Sequence, residues 1–409
     1  MLDFQSLKRT SWNFYSGSQL TYGPNAVLAL GGMIQRHEYR RVLLITDPVL
    51  DEVGAVRQVR KAIQPTSAEL HVCSDGAVEP TTDLVEQTAN LARDFEPDLI
   101  VALGGGSNMD LAKACSALLH SDCTAESLLG PDNVVGPITP LACLPTTAGT
   151  GSEVSHSAVL KNSATDKKAA ILSQAIRPKF ALVDPYMTIS CPAQVTAESG
   201  IDALTHAIEA CLATNFFQFT ESIDSTLPYE GNNPLGDLYA EKAIQLIAQH
   251  LQTAVEEPED LTARSGMSLA ATLAGAAFSN CGVGLCHALE YPLGSISPQC
   301  SHGAGNGIVL PEVLRYLAEH RPAKVARIAA CLHDDFARLP AVEAADAAVE
   351  FICDLRQAIN IPARLSDVGI EESQLPELVE TAFSLQRLID LTPGPPTPAD
   401  GLKILRACL

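Results

Sequence analysis

Asp98-Leu-Ile-Val-Ala-Leu103 runs directly into Gly104-Gly-Gly-Ser-Asn-Met-Asp110-Leu-Ala-Lys113, and the reading of this junction decides the fold. The apolar first half has the length and composition of a buried strand, and the second half opens a helix after a glycine triplet. Glycines let a backbone approach a pyrophosphate closely, and the unpaired N–H groups of a first helical turn face its negative charge. A tight turn without a ligand has the same appearance in sequence.

The same alternation extends on both sides. Residues 41–47 and 68–73 read as strands before the junction, and residues 141–145 and 180–184 as strands after it. Residues 53–63 and 82–95 carry apolar positions at helical spacing. Strands alternating with helices predict a parallel sheet with crossover helices. The glycine turn follows the third predicted strand rather than the first, which points to a variant nucleotide domain. Past Pro192 the texture becomes alanine-rich and helical, in segments 194–214, 238–255, 261–278, 323–331, 341–359 and 375–389, with no strand predicted. The expected organisation is an α/β Rossmann-like domain over residues 1–190 and an all-α domain over residues 191–409. One loop, residues 213–236, is polar and long for a structureless connection, and its Phe216, Phe217 and Phe219 favour a packed or pocket-lining role.

Composition narrows the partners. Lys and Arg number 27 against 48 Asp and Glu, a formal charge of −21, which argues against a nucleic-acid phosphate backbone or an anionic membrane surface. With 46% hydrophobic and 18% charged residues over 409 positions, the chain buries a large core and leaves small molecules as partners. The twelve cysteines contain no Cys-x-x-Cys pair, so they read as reduced thiols rather than zinc ligands or disulfides. The N-terminus MLDFQSLKRTSWNF lacks the apolar core of a signal peptide, and no uninterrupted apolar run reaches the roughly 18 residues of a membrane span. A cytoplasmic location is expected.

Four short stretches carry chemistry. Gly105 and Gly106 lie in the glycine turn, and Pro145-Thr-Thr-Ala-Gly-Thr-Gly-Ser-Glu153 supplies Thr146, Thr147, Thr150 and Ser152 hydroxyls suited to phosphate, ribose or nicotinamide amide. Asp47 ends a strand where a carboxylate accepts ribose hydroxyls and repels a 2′-phosphate, favouring NAD; a helix N-cap is the other reading. In Gly200-Ile-Asp-Ala-Leu-Thr-His-Ala-Ile-Glu209, Asp202 and His206 are four apart on one helical face. With His287 in GLCHALEYPLG and His302 in QCSHGAGNG they form three imidazoles and a carboxylate, a donor set for a divalent transition metal.

Taken together, GGGSNMDLAK, PTTAGTGSE, GIDALTHAIEA and CHALEYPLG…SHG resemble the iron-dependent (group III) alcohol dehydrogenase family over nearly the whole chain. The resemblance implies a Rossmann-like domain followed by a helical one, the dehydroquinate synthase-like fold. It implies metal ligands, catalytic through the metal, at Asp202, His206, His287 and His302. It implies cofactor contacts at Asp47, Gly106, Ser107, Asp110, Thr146, Thr147, Thr150 and Lys168. It further implies NAD, Fe2+ as the usual metal (a set that would also accept Zn2+ or Mn2+), and a homodimer or larger homo-oligomer. The sugar-phosphate cyclases that share this fold lack the Asp-x-x-x-His pair.

Three departures concern the substrate. Many members carry a second His where this chain has Tyr291, which removes a proton-relay candidate. A cofactor-contacting Asn in many relatives is Glu79 here, and one residue is inserted between His287 and His302. These features are similar to the hydroxyacid-oxoacid transhydrogenase and 4-hydroxybutyrate dehydrogenase branch, although that branch's longer insert before the last His is absent. Three functions are therefore set against each other. They are reversible hydride transfer between a primary alcohol or hydroxy acid and NAD, transhydrogenation with a retained nicotinamide, and a non-catalytic metal- or nucleotide-binding protein.

Overall fold

The computed structural model describes residues 8–219 and 228–409. Strands are β1 (Gln19–Tyr22), β2 (Arg41–Ile45), β3 (Glu69–Cys73), β4 (Leu99–Gly104), β5 (Gly130–Pro131), β6 (Leu141–Pro145), β7 (Ser157–Asn162), β8 (Lys167–Leu172) and β9 (Phe180–Val183). Every residue of β4 is buried, because alternate side chains go to opposite faces of its sheet and both faces are covered. Helices α1 (Ala29–Arg36), α2 (Pro48–Glu52), α3 (Ala55–Ile63), α4 (Thr82–Phe95) and α5 (Gly106–Leu118) supply that cover. On one face Leu43, Ile45, Ile100 and Ala102 pack with Val85 and Ala89 of α4 and Met109 and Leu111 of α5. On the other, Val42, Leu44, Val101 and Leu103 pack with Leu30 and Ile34 of α1 and Val56 and Val59 of α3.

The sheet is parallel throughout, in the order β1-β9-β6-β4-β2-β3. From β2 the chain steps outward to β3 and then returns to the opposite side of β2 as β4. That reversal is a topological switch point, and the crevice at the carboxyl ends of two such strands is where open α/β sheets bind ligands. Asp47 follows β2 and the glycine turn follows β4, so both stand at this crevice. The edge strand β1 makes β4 the fourth strand of the chain, whereas the sequence counts it third; its four residues are too short and exposed to give a pattern.

Strands β7 and β8 form an antiparallel hairpin, extended by β5 into a small second sheet that the sequence does not predict. Buried polar groups fasten this hairpin to α5. The Lys113 ammonium donates to Ser152 Oγ at 2.7 Å, Ser155 Oγ at 3.0 Å and the Ser157 carbonyl at 2.8 Å. Asp110 accepts from Ser152 Oγ at 2.8 Å and the Val159 N–H at 2.9 Å.

From Pro192 onward the described chain is helical: α6 (Ala193–Leu212), α7 (Pro234–Glu256), α8 (Leu261–Cys281), α9 (Leu285–Glu290), α10 (Leu293–Ile296), α11 (His302–His320), α12 (Pro322–Leu332), α13 (Ala341–Ala358), α14 (Leu375–Ser384), α15 (Gln386–Asp390) and α16 (Pro398–Ala407). Side-chain caps set several of these starts, as when Asn233 accepts from Gly236 N–H and Asp260 from Ala263 N–H. The chain divides into two compact units, Tyr15–Cys191 and Pro192–Leu409, and residues 8–14 go with the second. This differs from a simple division after residue 190. Arg9 forms a buried ion pair with Glu230 at 2.5 Å, and Phe14 stacks on Tyr239, which ties the N-terminal segment to the helical unit. No single helix among the described residues is long and apolar enough to cross a membrane.

Candidate functional site

In the helical unit, Asp202 and His206 come from α6, His287 from α9 and His302 from the first position of α11. The α6 spacing places Asp202 and His206 one turn apart, with His206 Nδ1 3.7 Å from Asp202 Oδ2. The other two arrive from separate helices. His287 Nε2 lies 3.6 Å and His302 Nε2 3.5 Å from the same oxygen, Asp202 Oδ1. One donor atom each from Asp202, His287 and His302 falls within 4.8 Å of the others. His206 is not part of that close triplet; its ring stacks between His287, at 4.7 Å between centroids, and Phe278, at 4.3 Å.

Three residues complete this arrangement that the sequence does not single out. Glu209 Oε2 is 2.5 Å from His287 Nδ1, and its Oε1 accepts the Cys286 N–H at 2.7 Å. Glu290 Oε2 holds His302 Nδ1 in the same way. Each carboxylate fixes a ring and leaves Nε2 facing Asp202, which is how metal-binding histidines are oriented. Asn306, buried one turn after His302, donates to Asp202 Oδ1 at 2.9 Å. A signal for the two glutamates exists in the sequence, since Glu209 and Glu290 each follow a candidate His by three residues.

The electrostatics call for a cation. Burial opposes charge on Asp202, yet the His206, His302 and His287 rings outweigh it and hold the carboxyl well below its usual range. Burial also opposes charge on His287, but Asp202 and Glu209 together push its imidazolium up to about 10. His302 is raised likewise against burial, by Glu290 and Asp202. Three carboxylates around three imidazoles therefore favour positive charge at this point, whether as protons or as a metal ion. The donor set, its convergence and its oriented rings fit a divalent transition metal. Metal uptake must displace protons from His287 and His302, so affinity is expected to fall as pH drops below their raised values. Calorimetric titration of metal-free protein in two buffers of different ionisation enthalpy should show proton release at neutral pH; none would contradict these assignments.

His302 keeps 35% of its side chain exposed while His287 keeps 1%, so the cluster is reached from the His302 side. The Tyr291 ring stands there, 5.7 Å from the His302 ring and 6.0 Å from that of His287. Desolvation, then the neighbouring Tyr229, holds the Tyr291 phenol protonated, above its usual range.

In the α/β unit, Gly105 is the N-cap of α5, and the β6 end meets the glycine turn through the Thr146 N–H to Gly104 carbonyl bond at 3.0 Å. A Cβ on Gly106 would lie 2.8 Å from Thr150 Cγ2, so a side chain there would push Thr150 aside where the two turns approach. Thr147 lies against Gly105. Asp47 caps α2 by accepting the Leu50 N–H at 3.1 Å, as the N-cap reading expects, and accepts from Asn108 Nδ2 at 2.7 Å, at the crevice where a ribose would also meet it. The Ser107 hydroxyl donates to the Val78 carbonyl. Asp110 and Ser152 spend their polar atoms on each other, on Lys113 and on Val159, which makes them braces of the turn. Lys168, on β8, pairs with Glu79 at 2.9 Å, so the residue that departs from the family pattern and a candidate cofactor contact are direct partners.

Of the long loop, residues 220–227 lie outside the described residues. Flanking them, Phe216 is buried against Trp12 at 6.0 Å, and Asn215 bridges to Asn232.

Comparison with known proteins agrees with this architecture. The sequence profile of the iron-containing alcohol dehydrogenases matches residues 17–185, and that of the C-terminal region of the same family matches residues 196–409. The chain is 35% identical over 370 residues to long-chain-alcohol dehydrogenase 1 of Geobacillus thermodenitrificans, covering 90% of this chain and 89% of that one. It is 32% identical over 402 residues to the mitochondrial hydroxyacid-oxoacid transhydrogenase of Mus musculus, covering 92% and 85%. A crystal structure of 1,3-propanediol oxidoreductase superposes with a TM-score of 0.90 at 30% identity, over 98% of this chain and 100% of that one.

Proposed function

The chain belongs to the iron-containing alcohol dehydrogenase family and is an oxidoreductase, and from that premise we propose that Asp202, His206, His287 and His302 hold its catalytic divalent metal. We assign the metal as Fe2+ and the dinucleotide as NAD, bound at Asp47, the glycine turn and the Thr146–Thr150 turn of the α/β unit. The observation that carries this reading is the convergence of Asp202 Oδ1, His287 Nε2 and His302 Nε2, with Glu209 and Glu290 behind the rings. When bound, the metal supplies Lewis acidity toward an alcohol oxygen, and the nicotinamide takes up hydride.

The chain's own residues do the rest. Glu209 and Glu290 keep both Nε2 atoms aimed inward, and Asn306 fixes one Asp202 oxygen. The Tyr291 ring stands beside those of His287 and His302, and burial holds its phenol protonated. A proton leaving the substrate hydroxyl passes to solvent on the His302 side, where the cluster is exposed. Gly106 and Thr150 hold the dinucleotide turns together, and Lys113 and Asp110 brace them from below.

A steady-state assay tests this reading: alcohols and hydroxy acids offered with NAD, with and without 2-oxoglutarate, alongside metal analysis of anaerobically purified protein. Reduction of NAD by alcohol alone supports the dehydrogenase. A strict requirement for the oxo acid supports the transhydrogenase reading, which the 32% identity to the Mus musculus enzyme favours as the second reading. Absence of turnover with metal bound would leave a binding protein.

Asp47 offers a sharper test of cofactor choice. Glycine at a helix N-cap costs only a few tenths of a kcal/mol relative to Asp, so Asp47→Gly should fold. Its expected outcome is a lower KM for NADP and weaker preference for NAD, and unchanged selectivity would remove Asp47 from the ribose site. We also assign the protein to the cytoplasm, where its twelve free thiols would stay reduced, and to a homodimer or larger homo-oligomer, which light scattering on the eluted protein tests.

A further inference from the structure

The ammonium groups of Lys113, Lys161 and Lys168 each have partners already. Lys113 of α5 is buried and donates to Ser152, Ser155 and the Ser157 carbonyl. Lys161 and Lys168 are cross-strand partners in the β7–β8 hairpin, so their side chains share one face of it. Lys167, next in the strand, belongs to the other face. Like charges directly opposite on a hairpin repel, and here a carboxylate offsets each of them. Lys161 pairs with Asp166 at 2.7 Å and Lys168 with Glu79 at 2.9 Å.

Glu79 comes from the segment between β3 and α4, which folds over the carboxyl end of β2. The Gly76 N–H donates to the Thr46 carbonyl at 2.9 Å. A Cβ on Gly76 would lie 2.5 Å from that oxygen and would strike the Asn108 side chain that holds Asp47. On either side of Glu79 the backbone is fastened. The Ser107 hydroxyl, in the first turn of α5, donates to the Val78 carbonyl, and the Lys161 N–H donates to the Pro80 carbonyl at 2.9 Å. Glu79 therefore lies between the N-terminal turn of α5 and the hairpin. That turn carries no acidic residue of its own and has the polarity that attracts phosphate. Glu79 thus adds a carboxylate to a crevice that already holds Asp47.

We propose that Glu79 is a determinant of dinucleotide choice: it holds the Lys168 ammonium and sets its own charge against a 2′-phosphate, so that the crevice takes NAD over NADP. This rests on the dinucleotide reading above. A 2′-phosphate monoester brings about two further negative charges. Repulsion by one carboxylate grows with the charge of the ligand, so it penalises NADP more than NAD. Lys168, the cation that could offset the added charge, is occupied by Glu79. The two side chains keep 28% and 51% of their surface exposed, and an ion pair so open to water contributes little to the fold. Neutralising Glu79 therefore leaves the domain intact and frees a cation at the rim.

The experiment titrates NADH and NADPH, followed by their fluorescence, into wild type, Glu79→Gln and Lys168→Met at low and at high salt. Glu79→Gln should tighten NADPH by about 10-fold and NADH by no more than about threefold, and the gap should narrow at high salt, as for exposed charges. Lys168→Met removes the cation and leaves the carboxylate bare, so it should weaken NADPH more than NADH. An equal change for both nucleotides in Glu79→Gln, or none, overturns the proposal. So does a shift in preference that high salt leaves untouched, because that marks a change of shape rather than of charge. Movement of the preference in the same direction in both variants overturns it too. If wild type binds neither nucleotide, the dinucleotide reading itself fails and the proposal falls with it.

Discussion

Replacing His287 with alanine is expected to remove the metal and abolish turnover while leaving NADH binding intact. His287 Nε2 is one of the three donors that converge at Asp202 Oδ1, and a water filling the space left by the ring would lack the imidazole's basicity and its carboxylate-fixed orientation. The candidate dinucleotide residues belong to the other compact unit, which explains why quenching of NADH fluorescence should survive. A graded companion is Glu209→Gln. That amide still accepts the Cys286 N–H, but it gives up the carboxylate behind His287 Nδ1. Loss of such an outer partner costs about 10–100-fold in metal affinity or activity, less than loss of the ligand itself. Normal metal content and turnover in His287→Ala would defeat the ligand assignment, and a Glu209→Gln phenotype as severe as His287→Ala would show that the carboxylate does more than orient the ring.

Gly303→Ala carries the second large expected effect. A Cβ there would lie 2.1 Å from the Glu198 carbonyl oxygen and 2.5 Å from its carbon, both backbone atoms of α6. Backbone has no rotamer to escape into, so α11 must shift away from α6. Overpacking of this kind costs typically about 1–3 kcal/mol. Here the shift also draws His302, the preceding residue, away from Asp202. The expected result is a lowered melting temperature together with reduced metal content, read by thermal denaturation and metal analysis. Gly32→Ala is the control. Nothing lies within 4 Å of a Cβ at that exposed position of α1, so it should be neutral or slightly stabilising. Equal behaviour of the two variants would show that close approach at Gly303 is not what seats α11.

The glycine turn and the Asp-x-x-x-His pair were legible because both are local. A strand feeding a turn and a helix lies in consecutive residues, and an i, i+4 spacing fixes two side chains on one helical face. The buried strands β2, β4 and β6 announced themselves as continuous apolar runs, since both sheet faces are covered. The β7–β8 hairpin did not. Its alternate positions are partly exposed, and what holds it is Lys113 and Asp110 reaching across from α5, a contact that no local pattern records. Residues 8–14 were assigned with the α/β unit by position in the chain, whereas the Arg9–Glu230 pair, 221 positions apart, places them with the helical unit.

The same division runs through the site. The parallel α/β unit followed by helices, the Asp202–His206 pair and the acidic charge of the chain are written in composition and short-range spacing, and His287 and His302 joined the candidate set only through the motifs that resemble the family. Tertiary structure alone decided the rest. It brought His287 and His302 from separate helices to one oxygen of Asp202, set Glu209 and Glu290 behind them, and inserted Asn306 between. It made Asp47 a helix cap at the sheet's switch point, paired Glu79 with Lys168, and set the Arg387 guanidinium over the Tyr229 ring. The reason is that donor convergence and charge balance depend on which helices pack together, and packing is settled by contacts between residues far apart in the chain.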